Sequence, residues 1–236
     1  MNAYVIGAGG VGSWLTPSLC LLLGPRKVVV VDGDRLEEKN LNRQLFRREH
    51  LGQNKAIALA GLYGCLSRPE YFAMGRFTVQ PEDWLITLVD NHPARRAALN
   101  EADMRGCRVL IAANETHSAE AYYYEPQWRG GSLDPRTYFP EILTGTDGDP
   151  MGEAIGCTGE AQEENPQLVS ANSLAASLAM HLFVLWHLEA PKLESETLPS
   201  LPYRLVANLT KLQSFRIKDA LERTDGYGET SRAQAA

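Results

Sequence analysis

Gly7-Ala8-Gly9-Gly10-Val11-Gly12 directly follows the apolar run Ala3-Tyr4-Val5-Ile6 and opens a stretch of helical length. In that setting glycines let backbone amides approach a phosphate, and the start of a helix offers it partial positive charge. Asp32 follows about 20 residues after the last glycine, at the end of Val28-Val29-Val30-Val31, where a carboxylate accepts hydrogen bonds from ribose hydroxyls. The glycines alone fit any tight turn. With Asp32 they point to a nucleotide, without separating a dinucleotide from ATP.

The stretch from Asp32 through Phe46, and on to Gly52-Gln53-Asn54-Lys55, narrows that choice. A dehydrogenase has no need of Asp34, Asn40, Arg43, Gln44 and Lys55 straight after its ribose carboxylate, whereas a nucleotidyl transferase does. Arg43 and Lys55 neutralise a triphosphate, and Asn40 and Gln44 orient it by hydrogen bonds. Taken singly each is a solvated loop residue; in this order they read as a site. Asp90, in Leu88-Val89-Asp90-Asn91, stands near the end of a predicted strand, where it positions magnesium or, alternatively, caps the helix after it. Cys157, in Gly156-Cys157-Thr158-Gly159, is either a thiol nucleophile or a plain loop thiol, since no Lys, Arg or His adjoins it. Cys20, Cys65 and Cys107 read as fillers of helix or strand edges, and the five histidines show no metal-ligand spacing.

The elements that must position these groups alternate. Strands at 3–6 and 28–31 flank a helix from Val11 to Leu23 that Gly24-Pro25 closes and Pro17 should kink. Lys55 to Tyr63 reads as helix, Trp84 to Val89 as strand, Ala94 to Arg105 as helix and Val109 to Ala112 as strand. This is an α/β, Rossmann-like, mostly parallel sheet, with ligands expected at the carboxyl ends of its strands. From about 114 to 166 the pattern is an irregular crossover segment, with at most short strands near 122–124 and 138–142. A long apolar helix over 168–188 suits a core or a dimer interface equally. Tyr203 to Ile217, with a polar break near 208–211, suits two antiparallel strands or one bent strand, and the sheet is expected to have an antiparallel C-terminal portion. Residues 1–221 thus form one domain, and 222–236 an expected disordered tail.

The 236 residues are 44% hydrophobic and 22% charged, enough for one sizeable core. A net charge of -6 supplies no positive field for nucleic acid. Four cysteines without a Cys-x-x-Cys pair argue against a zinc ribbon or a disulfide framework and fit a reducing cytoplasm. Residues 1–23 are apolar, but the glycines interrupt them and the first basic residue is Arg26, so neither a leader nor a membrane span is expected.

Gly-x-Gly-Gly-x-Gly, Asp-x-Asp, Asn-Leu-x-Arg-Gln, Gly-x-x-Lys and the later Asp-Asn with a nearby Arg together resemble the ThiF/MoeB/HesA family, the adenylyltransferases related to ubiquitin-activating enzymes. The resemblance implies MgATP as cofactor, without zinc, and adenylation of the C-terminal glycine of a small ubiquitin-like or sulfur-carrier protein. It implies a phosphate cradle of Gly7, Gly9, Gly10 and Gly12, with Gly9 and Gly12 closest, and a ribose site at Asp32 beside Asp34. Asn40, Arg43, Gln44 and Lys55 would surround the triphosphate, Asp90 would place magnesium beside Asn91, and Arg95 would support the site. Catalysis would rest on Arg43, Lys55 and Asp90, with Cys157 a candidate for later thiol transfer. A cytoplasmic homodimer built in part on the 168–188 helix is expected. Many relatives carry zinc-binding cysteine pairs and an N-terminal arginine for the γ-phosphate, and this sequence shows neither. Two rivals remain, an NAD-dependent oxidoreductase and a non-catalytic nucleotide- or partner-binding subunit.

Overall fold

The computed structural model describes residues 1–115, 117–146, 169–193 and 201–209, and the backbone of 213–217. Its centre is the unit β1 (Ala3–Ile6), α1 (Gly10–Leu23), β2 (Val28–Val31). The two strands are apolar apart from the Tyr4 hydroxyl, which donates to Thr78 O at 3.1 Å, and all eight of their side chains are buried, as strands covered on both faces must be. β1 pairs in parallel with β2 on one side and with β4 (Trp84–Thr87) on the other, so the strand order reverses direction at β1. After β2, the chain forms α2 (Lys55–Tyr63) and β3 (Leu66–Arg68), and after β4 it forms α3 (His92–Arg105) and β5 (Arg108–Asn114). Beyond β5 the sheet turns antiparallel through β6 (Ser118–Tyr124), β7 (Arg204–Asn208) and β8 (Gln213–Ile217). The full order is β3-β2-β1-β4-β5-β6-β7-β8.

Strand residues alternate between two cores, one on each face of the sheet. Val5, Val30, Ile86 and Leu110 face α1, α2 and the long helix α6 (Val169–Val184), where Leu15, Leu19, Leu59 and Phe183 meet them. Ile6, Val31, Leu85 and Ile111 face α3 and the segment carrying Phe72 and Phe77. Burying a side chain such as Leu15 or Leu19 completely, as here, contributes about 1.5–3 kcal/mol. Gly7 and Gly12 make the β1–α1 joint possible. Gly7 takes φ +98°, and a Cβ on Gly12 would stand 2.9 Å from the Gly7 carbonyl carbon and closer still to its oxygen.

Three expectations need correction and a fourth is narrowed. Helix α1 runs unbroken through Pro17, because Leu15 and Leu19 on either side are locked in the core. The segment at 138–142 is not a strand. It is two helical turns, α4 (Pro135–Tyr138) and α5 (Glu141–Thr144), because Asp134 caps the first through the Arg136 amide and Pro135 and Pro140 set helical φ at the turn starts. Arg96 holds the end of α5 by donating to the carbonyls of Ile142, Leu143 and Gly145. β6 is a full strand of seven residues in the middle of the sheet rather than a short one in a loop. Lastly, α6 packs as a core helix, one of the two readings of the 168–188 stretch. Val169–Lys192 is long and apolar enough to cross a bilayer by composition, but Ala171, Ala175, Ala176, Ala179, Leu182 and Phe183 are buried against α1, β5 and β6. The alanines let its backbone approach those elements closely. Tail residues 222–236 lie outside the described residues.

Candidate active site

At the carboxyl ends of β2, β1, β4 and β5 lies a cavity of about 360 Å³. Its floor is the glycine turn. Gly7 N–H donates to Val31 O at 2.9 Å, and no side chain caps the start of α1, so the first-turn amides are available to an anion. Gly7, Gly9 and Gly10 line the cavity; Gly12 does not, because it is spent on the close contact with Gly7.

Asp32 closes the β2 end. Its Oδ2 accepts the Ala8 amide at 2.6 Å and its Oδ1 the Asp34 amide at 2.7 Å. Burial pushes its pKa up to about 6; Lys55 and the two amides oppose that rise, and Asp34 adds to it. Asp34 is itself held by Lys55 Nζ at 3.0 Å and by the Tyr71 hydroxyl at 2.7 Å. Lys55 is positioned by the residue before it. Asn54 caps α2 by accepting the Ala56 and Ile57 amides, and its Nδ2 donates to the carbonyls of Asp32 and Asp34. One side chain thereby fixes the lysine's helix to the ribose-side loop.

The polar run after β2 folds back over the glycine turn. Buried Asn40 shapes it by accepting the Glu37 amide at 3.0 Å. Arg43 donates to Lys39 O and Asn42 Oδ1, and burial lowers its pKa while Asp90 nearby raises it. Gln44 is buried beside Gly9, with its Oε1 lacking a hydrogen-bond partner among the described residues. Opposite, β4 stops at Thr87, and Asp90 projects exposed into the cavity mouth. The cap of α3 is Asn91, which accepts the Ala94 amide at 2.9 Å, so Asp90 is not the capping residue. Arg95 donates to Val89 O at 3.0 Å, and its Nε has no partner among the described residues.

The structure thus brings Gly7, Gly9, Gly10, Asp32, Asp34, Asn40, Arg43, Gln44, Lys55, Asp90, Asn91 and Arg95 to one cavity. Cys157 lies outside the described residues. Sequence reasoning missed Asn54, whose type before a helical run is an N-cap signal. It also missed Tyr71, Phe72, Met74, Asn114 and Asn172, all of which line the cavity. Their spacing carries no signal, because only tertiary packing brings them there. No group of three potential metal-ligating side chains occurs among the described residues. A lone carboxylate such as Asp90 suits magnesium that arrives on nucleotide phosphates, which needs only one or two protein ligands.

A glycine turn, a buried carboxylate and the cations Arg43 and Lys55 stand at the strand-order reversal of an open α/β sheet, the place where such folds receive their ligands. Residues 1–62 match the model of the ThiF family, so the family resemblance of the motifs holds over that segment. The chain is 31% identical over 160 residues to the NEDD8-activating enzyme E1 catalytic subunit of Dictyostelium discoideum, covering 62% of this chain and 31% of that protein. It is 53% identical over 53 residues to the SUMO-activating enzyme subunit uba-2 of Caenorhabditis elegans, covering 22% of this chain and 9% of that protein. The chain therefore spans about a third or less of these curated relatives. Among solved structures it resembles PaaA with a TM-score of 0.60 at 17% identity, over 92% of this chain and 63% of that one. It also resembles E. coli MccB with ATP, with a TM-score of 0.55 at 16% identity, over 93% of this chain and 65% of that one. At these identities the likeness is one of fold.

Proposed function

We propose that this chain carries the site of an ATP-dependent adenylyltransferase that activates the C-terminal glycine of a small ubiquitin-like or sulfur-carrier protein. One observation carries this reading: the 40–55 segment returns over the glycine turn, so Arg43, Gln44 and Lys55 share a cavity with Asp32 and Asp90. That arrangement suits a triphosphate, whereas a nicotinamide would have no use for the cations of this segment. The relatives named for NEDD8 and SUMO activation, and the MccB structure with ATP, support the same chemistry.

In this reaction an ionised terminal carboxylate attacks the α-phosphorus. A carboxylate–phosphorus bond forms, the α–β bridging bond breaks, and pyrophosphate leaves with the electron pair. No proton moves, so no general base is required. Charge grows on the bridging oxygen, and Arg43, Lys55 and the amides of the α1 start are the groups to stabilise it. Asp90 would hold in part a magnesium ion brought with ATP, which would supply further charge neutralisation there. Attack of the Cys157 thiolate on the acyl adenylate, releasing AMP and leaving a thioester, is the proposed second step. A homodimer, read by sedimentation, belongs to the same proposal.

The test is isotope exchange between pyrophosphate and ATP, dependent on a protein or peptide ending in Gly. Arg43→Ala and Asp90→Ala should each slow exchange at least about a hundredfold, and Cys157→Ala should spare it. Tight NAD binding without ATP binding would overturn the reading, and ATP binding without exchange would leave a non-catalytic subunit.

A further inference from the structure

The reaction above gives groups to ribose, phosphate and metal, and none to the peptide end of the carboxylate substrate. Asn172 is the only polar side chain among the buried residues of α6. It is fully buried, it lines the cavity, and neither its Oδ1 nor its Nδ2 has a hydrogen-bond partner among the described residues. Such an amide is costly to keep unless something completes it. It presses on the first residue of α1: a Cβ on Gly10 would stand 2.7 Å from Asn172 Nδ2 and closer still to Oδ1. Gly10 is therefore glycine to admit Asn172, not through any need for positive φ.

The strand order says what Asn172 faces. Asp32 ends β2, the glycine turn ends β1, and Ala112, Ala113 and Asn114 line the cavity at the end of β5. Helix α6 lies over α1, β5 and β6, so Asn172 stands past the glycine turn, on the side away from Asp32. With ribose at Asp32 and phosphates at the turn, this side remains for the carboxylate substrate. The donor and acceptor count agrees. A phosphate offers only acceptors; it would satisfy Nδ2 and leave Oδ1 against an anion. A terminal peptide unit satisfies both, because its carboxylate accepts from Nδ2 and its last N–H donates to Oδ1.

We propose that Asn172 binds the last peptide unit of the carboxylate substrate and holds its carboxylate against the α-phosphorus. This rests on the adenylation reading above. The test uses the full chain, ATP, and two synthetic peptides with the same Gly-Gly carboxyl end. In one the final N–H is replaced by an ester oxygen. The wild-type chain should show a KM about tenfold lower for the amide than for the ester in pyrophosphate exchange. Asn172→Ala should raise the amide KM about tenfold and abolish that preference, with the Kd for ATP within about twofold of wild type. The unchanged ATP affinity shows that the variant folds, and the wild-type comparison needs no variant. A weakened ATP Kd with unchanged peptide KM, or equal use of amide and ester by the wild type, would overturn the assignment while leaving adenylation standing. A wild-type chain that binds ATP and exchanges with neither peptide would overturn both.

Discussion

A ribose hydroxyl donates a stronger hydrogen bond to an ionised carboxylate than to a neutral carboxyl, and burial opposes ionisation at Asp32. Its pKa of about 6 lies above the ordinary 3.8, so the folded chain binds an extra proton between those values. The sign for stability follows. This residue's contribution falls as pH rises from 3.8 to about 6 and stays at the lower level above that. If Asp32 holds the ribose, binding has the opposite sign, since the ligand favours the ionised form. Adenosine isolates the effect because it has no phosphate to titrate. Its Kd should weaken about tenfold per pH unit below about 6, and Asp32→Asn should bind weakly with a flat profile. Lys55 is the largest influence holding that pKa down, so Lys55→Met should move the break in the profile to higher pH. A break that stays in place would mean that Lys55 does not set the charge of Asp32.

Helix α2 shows how an element delivers a side chain, since Asn54 ties both its start and the β2 exit loop through four hydrogen bonds. Asn54→Ala should lower unfolding free energy by about 2 kcal/mol in urea titration. Asn54→Asp, which keeps the cap and loses the two Nδ2 bonds, should lie between. Equal stability of all three chains would show the clamp to be idle. At the α1 start, Gly10→Ala should destabilise through the clash with Asn172, and adding Asn172→Ala should restore most of the loss in the same titration. These joints also show what a sequence can carry. The β1–α1–β2 unit and α2 are legible because glycines, Pro25 and the apolar runs act locally. At 138–142, aromatic and β-branched residues suggest a strand, but the Asp134 cap and two prolines decide for helical turns. Asn172 and Tyr71 were not legible as site residues. They lie far in the chain from the partners they meet, and nothing in their own neighbourhood encodes the packing of α6 on α1 or of Tyr71 on Gly33.

At the scale of the molecule, the cavity draws on four strand ends together with α1, α2, α3 and α6, so a nucleotide that fills it bridges elements on both faces of the sheet. A ligand that binds only the folded chain at about 100 times its Kd adds about 2.7 kcal/mol of stability. For a chain of 236 residues that corresponds to a rise of about 5–10 °C in Tm. The net charge of -6 works against any polyanion at long range, so the gain must come from the local cations. That sets the order of ligands in thermal unfolding with magnesium at one fixed concentration. ATP should raise Tm more than AMP if, as proposed, Arg43 and Lys55 meet the phosphates beyond the first. NAD should raise it least. Arg43→Ala should keep the AMP shift and lose most of the difference between ATP and AMP. If NAD matched ATP, or the variant kept that difference, the cations of the 40–55 segment would not be reading a triphosphate, and the segment's fold over the glycine turn would be structural alone.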